Sequence, residues 1–235
     1  MLSHKFGWVL ICTVWTALAQ VTTVVGPVNY SLASAFPNLN LDGIATALFT
    51  GIMQDRNGNF VVAMDEVESD GESAVVRFAP GSNLATLVAG TGSSTATNIA
   101  STSLFLSTIG GLAGDTVGNI YISDTGRSCI RRVSTSGIVT TFAGTCGELG
   151  SAVDNVVATS SKLKGNGNIF YYTATNNLYI ADTGNHRIRM VRISNNIITT
   201  VVGTGTSGAS DSLVATSSAI NSPRDVWLNT NGVIY

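Results

Sequence analysis

Three unrelated strings recur in the same order along this chain, and that recurrence limits its fold more than any other feature. A strand-like string ending in glycine appears as VTTVVG at 21–26, ATLVAGTG at 85–92, VTTFAGT at 139–145 and ITTVVGTG at 198–205. Its glycines, Gly26, Gly90, Gly144 and Gly203, are spaced by 64, 54 and 59 residues. A second string follows each: IATALF at 44–49, IASTSLF at 99–105, VATSSKL at 157–163 and VATSSAI at 214–220. The third is a hairpin-like string at 55–65, 115–124, 173–182 and 229–235. The repeat is therefore about 57 residues long.

Within one repeat every segment reads as strand or turn. In the third, Ile169–Tyr172 is a short apolar run, Thr175–Asn177 a turn and Leu178–Ala181 a second run. Asp182-Thr183-Gly184-Asn185 marks another turn, because Asp and Asn bond their own backbone and Gly accepts positive φ. Arg187–Ile193 alternates charged and apolar residues, and Ile197–Val202 is a fourth run. Four short strands joined by tight turns at a fixed period predict an all-β chain, a β-propeller built of four-stranded blades. A β-solenoid is the alternative, but its coils are shorter and lack hairpin turns.

The blades are expected at 44–90, 100–144 and 158–203, with a partial one at 215–235. Tyr235 is equivalent to Tyr121 and Tyr179, in the second strand of its unit, and Val21–Gly26 matches a fourth strand without its preceding three. The expectation is an incomplete ring of about three and a half blades within 20–235, a fragment whose parent continues.

Residues 1–19 read as a signal peptide: His4 and Lys5, an apolar run from Phe6 to Leu18, and small residues Ala17 and Ala19 before Gln20. The run falls short of the ~20 residues a membrane-spanning helix needs, and no later segment is apolar enough. The chain is thus expected to be secreted, without a membrane span. Without Lys5 it carries 11 basic against 14 acidic residues, a balance unsuited to nucleic acid. Only 11% of residues are charged, so Ser, Thr, Asn and Gly dominate the surface. Asn29-Tyr30-Ser31 is a glycosylation sequon.

The string LYIADTGNHRIRMVRISNNIITTVVGTG at 178–205 resembles the NHL repeat, and NIYISDTGRSCIRRV at 119–133 is a weaker match. That resemblance implies a propeller used as a binding scaffold, as in secreted and teneurin-like NHL proteins. Related propellers include lactonases and amidating lyases, which use Glu, Asp, Asn or His around a central channel. Here the first strands of the units (48–53, 104–113, 169–172 and 226–228) hold no acid or His.

Side chains that could carry chemistry have structural readings beside the functional ones. Asp124 and Asp182 close the second strand at matching places, ahead of Gly126, Gly184 and Asn185, and read as caps of the following turn. His186, the one histidine after His4, has no visible catalytic partner. Glu66, Glu68, Asp70 and Gly71 follow the first spacings of a calcium loop, but the twelfth position is Arg77 instead of Glu. A solvated acidic hairpin tip, at most a weak cation loop, is expected there. Aligning units puts Cys129 at the place of Arg187 and Cys146 at that of Gly205. Both fall at the open end of one hairpin, so a disulfide is expected in an oxidising compartment, the alternative being two separate thiols. No cofactor is implied. The expected function is an extracellular, non-catalytic scaffold that binds a protein or glycan partner through its loops. A lactonase-like hydrolase or lyase and the sensor ectodomain of a membrane protein are the rival readings.

Overall fold

The computed structural model describes residues 47–66, 73–80, 85–210 and 212–235. The signal segment 1–19, the strand expected at 21–26 and the sequon at Asn29 lie outside them, as do Glu68 and Asp70.

The turn that follows the first strand of a repeat has a chemistry that recurs along the chain. Strands β1 (Ala47–Gln54) and β2 (Phe60–Glu66) are joined around Asp55, whose Oδ1 accepts the amides of Asn57 and Asn59 at 2.9 and 3.0 Å. Asp115 Oδ1 accepts the amides of Val117, Gly118 and Asn119 in the second repeat, and Asn229 Oδ1 those of Asn231 and Val233 in the fourth. Three residues on, the backbone turns left-handed: Gly58, Gly118 and Gly232 have φ of +81°, +104° and +79°. Asn176 takes the same place in the third repeat at φ +54°, a region that asparagine enters more readily than other side-chain-bearing residues.

The first sheet adds β3 (Ser73–Phe78) and β4 (Ala85–Gly90), in the order β1-β2-β3-β4. The second contains β5 (Ile99–Ala100), β6 (Ile109–Gly114), β7 (Ile120–Asp124), β8 (Cys129–Val133) and β9 (Ile138–Ala143), in the order β5-β9-β8-β7-β6. The third contains β10 (Val156–Val157), β11 (Ile169–Tyr172), β12 (Asn177–Asp182), β13 (Arg187–Arg192) and β14 (Ile197–Val202), ordered β10-β14-β13-β12-β11. All pairings between these strands are antiparallel.

Strand alternation divides the core between the sheets. Val61 and Ala63 of β2 meet Ile120 and Ile122 of β7 in one cluster, while Val62 and Met64 belong to another with Val76 and Phe78. Tyr121 turns the opposite way from Ile120 and Ile122 and joins Leu178 and Ile180 of β12. Tyr179 and Ala181 then pack with Val226 and Leu228. A sheet buried on both faces needs apolar residues at consecutive positions, which accounts for the run IYI at 120–122.

The first strands approach closely. A Cβ on Gly111 would collide with the Asn168 side chain, and one on Gly51 would lie 3.4 Å from the Gly111 Cα. β6 accordingly packs against both β1 and β11.

The all-β character expected from the repeat is present, but the NHL-type β-propeller is corrected. The described residues form three separate sheets of four and five strands, open at their edges, and none closes into a barrel or a ring of blades. The repeat dictates a meander and a face-to-face contact with the next meander. Closure needs a further condition, the angle between successive sheets, which periodicity does not encode.

Candidate functional site

At one end of the sheets lie the linkers between repeats (91–98, 145–155, and 203–210 with 212–214) and the 3₁₀ turns Thr125–Arg127 and Thr183–Asn185. The candidate site is this linker face, and it is held from beneath by buried charge.

Asp124 and Asp182 end β7 and β12 with no exposed surface, and each faces an arginine seven residues on. Arg131 Nε lies 3.3 Å from Asp124 Oδ2, and Arg189 Nη1 lies 3.4 Å from Asp182 Oδ2. The far ends of both guanidinium groups reach the linkers. Arg131 donates to the carbonyls of Thr95 and Ala96 at 3.0 and 3.4 Å, and to Thr141 Oγ1. Arg189 Nη2 donates to the Val153 carbonyl at 2.7 Å, to Asp154 Oδ1 at 2.9 Å and to Ser161 Oγ. Burial pushes both aspartates above the usual carboxylate range, and their arginines oppose the shift. Asn185 and the Lys164 amide also donate to Asp182. A buried carboxylate so placed serves as an anchor.

Each aspartate stands at the N-cap position of its 3₁₀ turn, and the backbone amide that Asp182 accepts comes from Lys164 in another segment rather than from that turn. The left-handed residues are Ser128 and His186, both at φ +52°, and Gly126 and Gly184 are absent from the positive-φ set. Glycine is required at 184 by close approach: a Cβ there would sit 2.8 Å from the Lys164 carbonyl oxygen. At Gly126 an added Cβ would meet the Ser107 hydroxyl, a side chain rather than backbone. His186 Nδ1 accepts the Ser222 amide at 3.0 Å.

Cys129 and Cys146 form a disulfide with Cα atoms 5.0 Å apart, tying the start of β8 to the second linker. In the third repeat Arg187 Nη2 donates to the Thr204 carbonyl at 2.9 Å, so the equivalent tie there is a hydrogen bond. Gly147 N also donates to the Arg127 carbonyl at 2.7 Å.

The second linker, so supported, presents Leu149 and Val153 to solvent, and the third presents Leu213 and Val214. A recess of about 270 Å³ opens between Leu149, Gly150, Ser151, Lys164 and Asn185. Glu66 ends β2, and the other acids of the candidate cation loop, Glu68 and Asp70, lie outside the described residues. Among the described residues no three of His, Cys, Asp and Glu gather to hold a metal. Among them, too, no helix is long and apolar enough to cross a membrane.

Sequence reasoning missed the two buried arginines. The signal was present as Asp followed by Arg at the seventh position in two repeats, with Val76 at the place of the arginine in the first.

No family model matches the chain, and no curated protein matches it. Solved structures do. A protein of unknown function from Bacteroides thetaiotaomicron superposes with a TM-score of 0.57 at 18% identity, over 76% of this chain and 41% of that one. An auxiliary nutrient binding protein from the same organism gives 0.56 at 18% identity, over 78% and 43%. One from Bacteroides ovatus gives 0.55 at 16% identity, over 82% and 56%. The chain thus spans about half the length of these structures or less, and the likeness shows the fold. None of the three is described as an NHL-repeat propeller, a second ground for the correction made above.

Proposed function

We propose that this chain is an extracellular, non-catalytic binding protein that takes a protein or glycan partner on its linker face. The observation that carries the reading is the anchoring of the linkers by Arg131 and Arg189, each with no more than 1% of its surface exposed. Loops fixed before a ligand arrives lose little conformational freedom on binding, which favours affinity. The side chains they display are apolar and hydroxylated, suited to contact rather than to proton transfer. The buried carboxylates Asp124 and Asp182 are each engaged by an arginine. Two of the similar folds belong to auxiliary nutrient binding proteins, which accords with a ligand-binding role.

The test is a glycan array and an extracellular-protein array probed with the mature protein and with a Leu149→Glu, Val153→Glu variant. Retention of a partner by the parent and its loss by the equally stable variant is expected. A partner retained equally by both would remove the linker face from the function.

A further inference from the structure

Where the outer strands of the first sheet meet the turns of the second, a groove of about 320 Å³ lies apart from the linker recess. Val88, Ile120 and Val133 contribute apolar lining, and Arg77, Thr102 and Thr135 contribute polar groups. Its volume is in the range of small-molecule sites.

The groove departs from the repeat. Residues 134–137, Ser-Thr-Ser-Gly, stand where the third repeat has 192–196, Arg-Ile-Ser-Asn-Asn. Thr135 therefore occupies the place of Ile193, which packs against the core between the second and third sheets. A smaller, hydroxylated residue lines the groove at the position where the other seam is filled by an isoleucine.

Its accessible charge is cationic. The Arg77 side chain is 36% exposed, and its Nε lies 3.0 Å from Asp55 Oδ2, whose own side chain is only 5% exposed. Arg56 runs over Gly118, a lining residue, and donates Nη1 to the Val117 carbonyl at 2.6 Å. The nearby carboxylates are buried and engaged: Asp55 by Asn57 and Asn59, Asp115 by three turn amides, Asn119 and the Tyr121 hydroxyl. The groups left to meet a ligand are guanidinium, hydroxyl and aliphatic.

We propose that this groove binds a sugar acid of monosaccharide size. The carboxylate meets Arg77, where the planar guanidinium can pair with it. The ring's apolar face lies on Leu87, the half-buried aliphatic side chain of the lining, above the buried Val88, Ile120 and Val133, and its hydroxyls reach Thr102 and Thr135. The site extends the binding reading to a surface other than the linker face.

The probe is sodium galacturonate, titrated into ¹⁵N-labelled mature protein with galactose and acetate as controls. Saturable amide shifts at Gly118, Thr135 and Gly137 are expected for galacturonate, with weaker binding of galactose and of acetate. Thr135→Ile, which restores the residue of the third repeat, should weaken galacturonate about tenfold or more. Arg77→Gln should abolish the preference for galacturonate over galactose. Leu149→Glu, on the linker face, should leave the shifts intact. Absence of saturable shifts at millimolar galacturonate, shifts indifferent to Thr135→Ile, or shifts lost with Leu149→Glu would each overturn the proposal. Only the last would point back to the linker face.

Discussion

Arg189 lies fully buried with Nη1 3.4 Å from Asp182 Oδ2 and Nη2 2.7 Å from the Val153 carbonyl, so one side chain joins a sheet interior to a surface linker. Arg131 repeats the arrangement with Asp124 and Thr95. Removing one partner of such a pair leaves an uncompensated buried charge. Arg189→Met is expected to destabilise the protein by about 3–5 kcal/mol, measured by urea unfolding. Combining it with Asp182→Leu should recover much of that loss, because the stranded carboxylate is then gone. A single variant as stable as the parent would show that the pair anchors nothing.

The disulfide gives a second prediction. Cys129 and Cys146 are 17 residues apart, and opening the loop that they close should cost about 3 kcal/mol on the loop-entropy model. The double variant Cys129→Ser, Cys146→Ser should show that loss in chemical unfolding. Its second linker should also be cut faster by a nonspecific protease. Unchanged stability and unchanged cutting would assign the bond no structural role.

Asp55 predicts an acid-side dependence. Burial pushes its carboxyl up, but hydrogen bonds from Asn59 and Asn57 together with Arg77 outweigh that and leave it below its ordinary value of 3.8. A group that holds its proton less tightly in the folded state stabilises the fold above the unfolded-state value. That contribution disappears as pH falls through the folded-state value. The stability gap between the parent and Asp55→Ala should therefore be constant near neutrality and narrow below about pH 4. A gap that widens on acidification would reverse the assignment.

Gly184 and His186 should behave oppositely to a first reading of their turn. Gly184→Ala should destabilise by more than about 1 kcal/mol, because the added Cβ meets the Lys164 backbone. His186→Gly relieves a positive φ of +52° and should cost less than Gly184→Ala despite losing the contact to Ser222. Thermal unfolding of the two variants decides the order.

Much of the local structure was legible because it depends on neighbours in sequence. The turn at Asp115 follows from an acceptor placed two to four residues before the amides that it binds. The apolar run at Ile120–Ile122 reflects burial on both faces. Features that join distant segments were less legible. Gly184 was read as a positive-φ residue because nothing in its own turn reveals the approach of Lys164, twenty residues earlier. Asp182 was read as a turn cap because its partners Lys164 and Arg189 come from other segments. The propeller reading failed for a related reason. Periodicity specifies each meander and its contact with the next, but the set of sheets over the described residues remains open.

The preorganised linker face is tested most directly by hydrogen exchange of the second linker. The amides of Gly147 and Asn155 donate to the carbonyls of Arg127 and Ile198 at 2.7 and 2.8 Å, and the Val153 amide donates to Ser161 Oγ. Under native conditions these three amides should exchange slowly in the parent. In Arg189→Met, Asn155 and Val153 should lose protection while the strand amides of β7 and β8 keep theirs. Rapid exchange across 145–155 in the parent, at the rate of an unstructured loop, would show that the linker is not held in place and would remove the basis for binding on that face.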